Sequence, residues 1–481
     1  MPANLTFRQR RFSQTKIVAT LGPASNQPDK IAGLIAAGVD VFRINMAHGA
    51  RDEHQRTLDA VRQASHEADR IIAVLVDLSG PKMRLGELPD GQFECVADAF
   101  VRFVRGEQPH QPGDLVTSYE PLVDELSVGD RVMLADGTVT LVVEECGVDD
   151  ARCRVVQPGT IRSRQGVNLP GVKLSAPALG DQDRDNAAWA AVSGVDFLGL
   201  SFVRAPEEVR QLKALLESHG SEARVIAKIE KPEAVKRLDE IVEAADGLMV
   251  ARGDLGVEID IAEIAVTQKK IIETCNRMRK PVIVATQMLD SMTESRLPTR
   301  AEVTDVANAI LDGADACMLS GETAIGQHPL DAVRMMHRIA LATEPKFRER
   351  TPSSKPDLSA PGVDPITEQV VFAGGQIAHN LDARTLVVGS GGGTTALALS
   401  KYRNLVPIVG VSNSEATLRR MCLYWGVVPL AGAPTDNPRQ MLDYVVQRGE
   451  EVGALTQGDR LVLIAGAGLT NHDSIFVYEM P

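Results

Sequence analysis

Short apolar runs rich in β-branched residues alternate along the chain with stretches of helical periodicity, the pattern of βα units around a parallel sheet. Three such runs fall early, at 15–20 (TKIVAT), 39–44 (VDVFRI) and 71–77 (IIAVLVD). Five fall later, at 195–201 (VDFLGLS), 225–230 (VIAKIE), 247–252 (GLMVAR), 282–287 (VIVATQ) and 316–320 (ACMLS). Eight βα repeats predict a TIM (β/α)8 barrel. The gap between the third and fourth runs is too long for one helix. Residues 80–176 show short alternating runs, an Asp136-Gly137 hairpin signal between VMLA and TVTLVV, and little helical periodicity. They predict an inserted all-β domain hinged as a lid over the barrel mouth, with turn residues Ser79-Gly80-Pro81 and Leu169-Pro170-Gly171 at its edges. Residues 351–365 (TPSSKPDLSAPGVDP) have linker composition. Strands near 384–388, 407–411, 427–430 and 460–464 then predict a C-terminal α/β domain. The expected plan is barrel over 1–79, β lid over 80–176, barrel resumed over 177–350, and the C-terminal domain over 351–481.

Charge narrows the function classes. The 64 acidic and 51 basic residues leave a net charge of −13, which argues against a nucleic-acid or anionic-membrane surface. No apolar run reaches the ~18 residues of a membrane span. Residues 1–16 are polar and basic without an apolar core, so no secretory signal is expected. Six cysteines lie scattered without any Cys-x-x-Cys, which fits reduced thiols in a cytoplasmic protein.

Candidate chemistry gathers at the C-terminal ends of the barrel strands, the rim where such barrels place their catalytic groups. The second run leads into Asn45 just after Arg43, and the third ends at Asp77. The fourth ends at Ser201, the fifth at Lys228-Ile229-Glu230, and the sixth runs into Arg252-Gly253-Asp254. The seventh ends at Thr286-Gln287 and the eighth at Ser320-Gly321-Glu322. A purely structural strand needs no such endings at seven places around one ring. Lys228 and Glu230 are two apart and so share a face. They read either as a structural ion pair or as an ammonium beside a metal-binding carboxylate. Asp254, in the Gly-flanked ARGDLG loop, adds a second hard oxygen. Two carboxylates are too few for a calcium cage but suit Mg²⁺ or Mn²⁺, which retains waters and takes substrate oxygens. Gly253 lets backbone N–H groups approach an oxyanion. General acid–base work by the two carboxylates is the competing reading. Arg43 and Arg84 are candidate phosphate clamps, since guanidinium matches phosphate oxygens bidentately. His48 reads equally as polar scaffolding, and Thr286 as a strand-end hydroxyl. Together these groups describe a metal-assisted phosphoryl site.

TKIVATLGPAS, FRINMAHG, GVNLPG, AKIEKPEAV, MVARGDLGVE, PVIVATQML, PTRAEVTDVANAILDGAD and MLSGETAIGQHP resemble, in order, segments of the pyruvate kinase family. The resemblance implies transfer of a phosphoryl group from phosphoenolpyruvate to ADP, giving pyruvate and ATP in glycolysis. It also implies a homotetramer. By position it implies that Arg43 contacts the phosphoryl group and Lys228 stabilises charge on the phosphoryl group and the enolate oxygen. Glu230 and Asp254 would hold the divalent metal, while Gly253, Asp254 and Thr286 would line the substrate carboxylate, with Ser201 also among the substrate-binding residues. Thr286 would lie near the carbon that is protonated. Asn45, Ala47, His48, Arg84 and Arg164 would face the nucleotide.

The chain departs from the family pattern in two places. Many members bind K⁺ through Asn, Ser, Asp and Thr, whereas the matching residues here are Asn45, Ala47, Asp77 and Leu78. Lys82 stands where K⁺-dependent members carry Glu, so its ammonium is expected to replace K⁺, which is then not required. Arg164 and Gln165 stand where the family often has two lysines, weakening one nucleotide-phosphate contact. In the C-terminal domain, Ser390-Gly391-Gly392-Gly393-Thr394 leads into a helix and reads either as a cradle for a phosphorylated effector or as a structural turn. Two rival functions remain at this point: a metal-dependent lyase or aldolase acting on pyruvate or phosphoenolpyruvate, and a catalytically silent metabolite sensor.

Overall fold

Runs such as KIVAT and AVLVD are buried at every position, as befits strands covered on both faces. The computed structural model describes residues 13–106, 108–135, 137–172, 174–349, 361–466 and 472–481. Its barrel strands are Lys16–Thr20, Val41–Asn45, Ala73–Asp77, Phe197–Leu200, Arg224–Ile229, Gly247–Ala251, Val282–Ala285 and Ala316–Leu319. They pair in parallel, and the first meets the eighth to close the ring. Register sets Thr20 beside Arg43, and both Asn45 and Gly199 beside Asp77. The interior below this rim is apolar. Leu75, Phe197, Ile226, Met249 and Met318 form one buried cluster with Cys422 and Leu423, which reach in from the C-terminal domain.

The lid leaves the barrel after the third strand. Its main sheet has six strands in the order Val167–Asn168, Arg131–Leu134, Val139–Cys146, Asp150–Gln157, Phe100–Val104, Asp114–Leu115. Two further strands, Gln92–Cys95 and Gly159–Arg162, pair beside it, and one short helix spans Leu122–Glu125. Both connections to the barrel are pinned. Asp183 accepts hydrogen bonds from the amides of Ser79 at 3.1 Å and Gly80 at 2.9 Å. Arg204 donates to the carbonyls of Leu174 at 2.8 Å and Ala176 at 2.7 Å. Asp136, half of the expected hairpin turn, lies outside the described residues, as do residues 351–360 of the expected linker.

The C-terminal sheet has five strands in the order Val427–Leu430, Ile408–Val411, Thr385–Gly389, Arg460–Ala465, Ser474–Glu479. The last is antiparallel and was not foreseen from the sequence. It lies at a sheet edge with Phe476 and Val477 exposed, so its pattern lacks the buried signature of its neighbours. Pro365 belongs to a helix rather than to the linker. It opens Pro365–Asn380, capped by Asp364, because proline is favoured where helical N–H groups have no partner. Among the described residues no helix is long and apolar enough to cross a membrane, and the six cysteines are free thiols.

Buried charges join this domain to the barrel. Asp315, fully buried at the foot of the eighth strand, meets Lys401 at 2.6 Å and Arg403 at 3.0 Å. Arg419 meets Asp196 at 2.6 Å. An Asp315→Asn change leaves two cations facing a neutral amide, so it is expected to cost about 3–5 kcal/mol. Urea unfolding of the whole chain measures this, and a loss below about 1 kcal/mol contradicts it.

Candidate active site

Lys228 sits on the strand Arg224–Ile229 with its side chain facing into the barrel. Its ammonium lies 3.3 Å from Asp77 Oδ1 and 3.0 Å from Glu230 Oε1, and it donates to Ser201 Oγ at 2.7 Å. Ser201 Oγ donates in turn to the Leu78 carbonyl at 2.7 Å. Asp77 also holds Arg43, whose Nη2 is 2.6 Å and Nε 2.8 Å from Oδ2. Arg43 Nη1 donates to Thr20 Oγ1 at 3.2 Å. Gly199 makes room for this carboxylate, because a Cβ there would lie 2.8 Å from Asp77 Oδ1. Two cations and two anions are thus interleaved at one point of the rim.

Burial by itself would draw the Lys228 pKa down. Asp77 and Glu230 outweigh it and hold the ammonium above the ordinary lysine range. Burial pushes Asp77 up, but Lys228 and Arg43 more than offset it, leaving that carboxyl below its usual value. For Glu230 burial prevails over Lys228, with Asp254 adding to the upward shift. Glu230 is fully buried, and Oε2 accepts the Phe202 amide at 2.6 Å. Its Oε1 faces the Lys228 ammonium without a well-formed hydrogen bond. Such an orphaned oxygen beside a second acid fits a divalent cation. No group of three or more His, Cys, Asp or Glu side chains among the described residues could hold a metal ion. Two carboxylates, with waters and substrate oxygens completing the shell, suit Mg²⁺ or Mn²⁺.

ARGDLG is not a loop. Helix Arg252–Glu258 begins where the sixth strand ends, and Gly253 and Asp254 lie in its first turn. The Gly253 amide is already engaged, donating to Thr286 Oγ1 at 2.7 Å. The seventh strand stops at Ala285, and Thr286 and Gln287 take left-handed backbone, φ 70° and 54°. A β-branched residue rarely adopts that conformation. Arg252 supports it from behind, donating to the Thr286 carbonyl at 2.7 Å while pairing with Asp305 at 2.6 Å. Lys82, partly exposed at the lid hinge, reaches to 3.5 Å from Asp254 Oδ1.

The remaining candidates make no side-chain contact with this cluster, although Asn45 stands beside Asp77 in strand register. Asn45 turns its Oδ1 onto the Ala47 amide at 3.2 Å, and Ala47 and His48 are exposed. Arg84 and Arg164 meet within the lid, Arg84 Nη1 donating to the Arg164 carbonyl at 3.1 Å, and Arg164 pairs with Glu87 at 2.6 Å. Thr20 and Phe202 escaped the sequence reading, and Arg252 was marked only as the polar end of the sixth run. Thr20, the polar end of the first run, carried the same strand-end signal, whereas Phe202 carried none.

With this geometry in place, comparison with known proteins decides the family. The pyruvate kinase barrel-domain family matches residues 12–333, and the pyruvate kinase alpha/beta-domain family matches 368–475. The chain belongs to the pyruvate kinase family. It is 40% identical to a pyruvate kinase of Geobacillus stearothermophilus over 94% of this chain and 77% of that one. A Mycobacterium intracellulare pyruvate kinase is 40% identical over 94% of each chain. The crystal structure of a pyruvate kinase from Cryptosporidium parvum superposes with a TM-score of 0.89 at 32% identity, covering 98% of this chain and 96% of that one. Pyruvate kinases are phosphotransferases, this chain is an enzyme of that class, and the family requires a divalent metal.

The C-terminal glycine loop is tightly tied. Gly393, at φ 88°, opens helix Thr394–Lys401. Thr417 Oγ1 donates to the Gly391 carbonyl at 2.9 Å. His472 Nε2 donates to the Gly389 carbonyl, and Nδ1 lies within hydrogen-bond reach of Thr395 Oγ1 at 3.3 Å. Burial lowers the pKa of this imidazole from 6.5. As pH falls below about 6.5, the unfolded chain takes a proton that the folded domain refuses, so stability present at neutral pH is lost. Unfolding followed from about pH 8 to about pH 5 should show this slope, and His472→Gln should flatten it. Equal slopes in both proteins would remove His472 from the account.

Proposed function

We propose that the chain transfers the phosphoryl group of phosphoenolpyruvate to ADP, giving pyruvate and ATP. The observation that carries this reading is the Lys228 ammonium held between Asp77 and Glu230 beside Arg43. In the transfer, the bond from phosphorus to the enolate oxygen breaks and a bond to an ADP β-phosphate oxygen forms. The chemistry asks for positioning and charge neutralisation rather than a covalent nucleophile. Arg43 grips the phosphoryl oxygens, and Lys228 offsets negative charge on the phosphoryl group and on the departing enolate oxygen. Glu230 and Asp254 hold Mg²⁺ or Mn²⁺, which when bound supplies positive charge to the phosphate oxygens. Gly253, Asp254 and Thr286 line the substrate carboxylate, which there competes with Thr286 Oγ1 for the Gly253 amide. Thr286 faces the enolate carbon that takes up a proton through water. Arg84, Arg164 and the turn from Asn45 to His48 face the nucleotide. Lid closure over the rim excludes water that would hydrolyse the phosphoryl group. The Ser390–Thr394 loop is where a phosphorylated effector binds, its glycine backbone and helix start offering N–H groups.

We further read the enzyme as independent of K⁺. Ala47 and Leu78 offer no side-chain oxygen, both Asp77 oxygens face Arg43 or Lys228, and Lys82 brings its own charge to 3.5 Å from Asp254. Pyruvate formation that needs ADP and divalent metal, and persists when Na⁺ or an organic cation replaces K⁺, is the expected result. Strong dependence on added K⁺ overturns this second reading, while turnover without ADP overturns the first. Lys228→Met should lower kcat by about 10²–10³-fold, the cost of one charge-stabilising group. Steady-state rates at saturating substrates measure it.

A further inference from the structure

One buried ion pair lies where two parts of the site meet, and neither partner was marked by the sequence. Lys231 Nζ stands 2.6 Å from Glu258 Oε1, with the ammonium side chain 10% and the carboxylate 0% exposed. Lys231 follows Glu230 directly. Glu258 lies four residues beyond Asp254 on helix Arg252–Glu258, so the two acids share a helix face. The pair thus ties the segment carrying one metal-holding acid to the segment carrying the other. On the strand side, the ammonium also lies 5.9 Å from the centroid of the Phe202 ring, and the Phe202 amide holds Glu230 Oε2. Towards the lid, Lys231 and Asn168 line a cavity of about 170 Å³ at the hinge. Glu258 Oε2 is buried without a hydrogen bond, and the carboxylate is held by the Lys231 ammonium with the Asn168 side chain as a further partner. Desolvation largely cancels the attraction of such a pair, which makes it a weak source of stability. Fixing a distance is a use that survives this cancellation.

We propose that Lys231 and Glu258 form a positioning strut that sets the separation of Glu230 from Asp254, and with it the affinity of the site for a divalent cation. The proposal rests on the reading that those two acids hold the ion. Neither strut residue touches the ion or the substrate; both act through the segments they join. The test is calorimetric titration of the full chain with Mn²⁺, without substrate, in the wild type and in Lys231→Met, Lys231→Arg, Glu258→Gln and Glu230→Gln. Lys231→Met should weaken Mn²⁺ binding about tenfold, the low end for groups that orient metal ligands. Lys231→Arg, which keeps the pair, should restore most of it. At saturating Mn²⁺ the kcat of Lys231→Met should stay near wild type while its apparent KM for the metal rises. Glu258→Gln, whose neutral amide oxygen can still accept from Lys231, carries the same expectation if Lys231→Met does not fold. Loss of Mn²⁺ binding in Glu230→Gln, with Lys231→Met and Glu258→Gln binding as wild type, overturns the strut. Wild-type binding by Glu230→Gln overturns the metal reading, and the strut with it.

Discussion

An ammonium taken out of water must be surrounded by opposite charge, and in this barrel Lys228 meets that demand from two neighbouring directions. Asp77 ends the third strand and Glu230 follows the fifth, with the fourth lying between. The fourth contributes Gly199, whose missing side chain leaves the space that the Asp77 carboxylate occupies. Because Asp77 also holds Arg43, the two cations that address a phosphoryl group share one anchor. Removing Asp77 would disorder both. The arrangement is costly to form and stays put only because four neighbouring parallel strands fix its register.

Around this centre the backbone is held in conformations that it would not adopt alone. Thr286 and Gln287 keep left-handed dihedrals because Arg252 grips the carbonyl side of the turn and the Gly253 amide grips the Thr286 hydroxyl. The lid is tethered just outside the same rim, by Asp183 on one connection and Arg204 on the other. Arg204 lies three residues past Ser201, which touches the Lys228 ammonium. Lid anchoring and charge placement therefore share a single short segment.

The opposite end of the barrel answers a different constraint. Its foot would expose a wide apolar cluster, and Cys422 and Leu423 cover it from the C-terminal domain. The Cys422 thiol donates to the Ile71 carbonyl at 3.2 Å, and Asp196 and Asp315 bind arginine and lysine from the same domain. Apolar closure and buried ion pairs together fasten the C-terminal domain to the barrel floor. The glycine loop of that domain is bound to its own sheet through Thr417 and His472.

Local periodicity was enough to mark all eight barrel strands, because each run is short, largely apolar and rich in β-branched residues, as strands covered on both faces must be. The polar residue types at the ends of those runs likewise marked Arg43, Asp77, Ser201, Lys228, Glu230 and Thr286 as rim candidates, since strand ends in a barrel converge. What a linear pattern could not express was pairing across the ring. That Asp77 serves both Lys228 and Arg43, that Gly253 gives its amide to Thr286, and that ARGDLG winds into a helix depend on contacts between segments far apart in the chain. Lys231 and Glu258 looked like ordinary charges in sequence, and only the fold buries them against each other. Residue type and spacing determined which groups are available and which end of the barrel they reach. Closure of the sheet decided which of them meet, because distances between side chains are set by strand register and helix placement rather than by position along the chain.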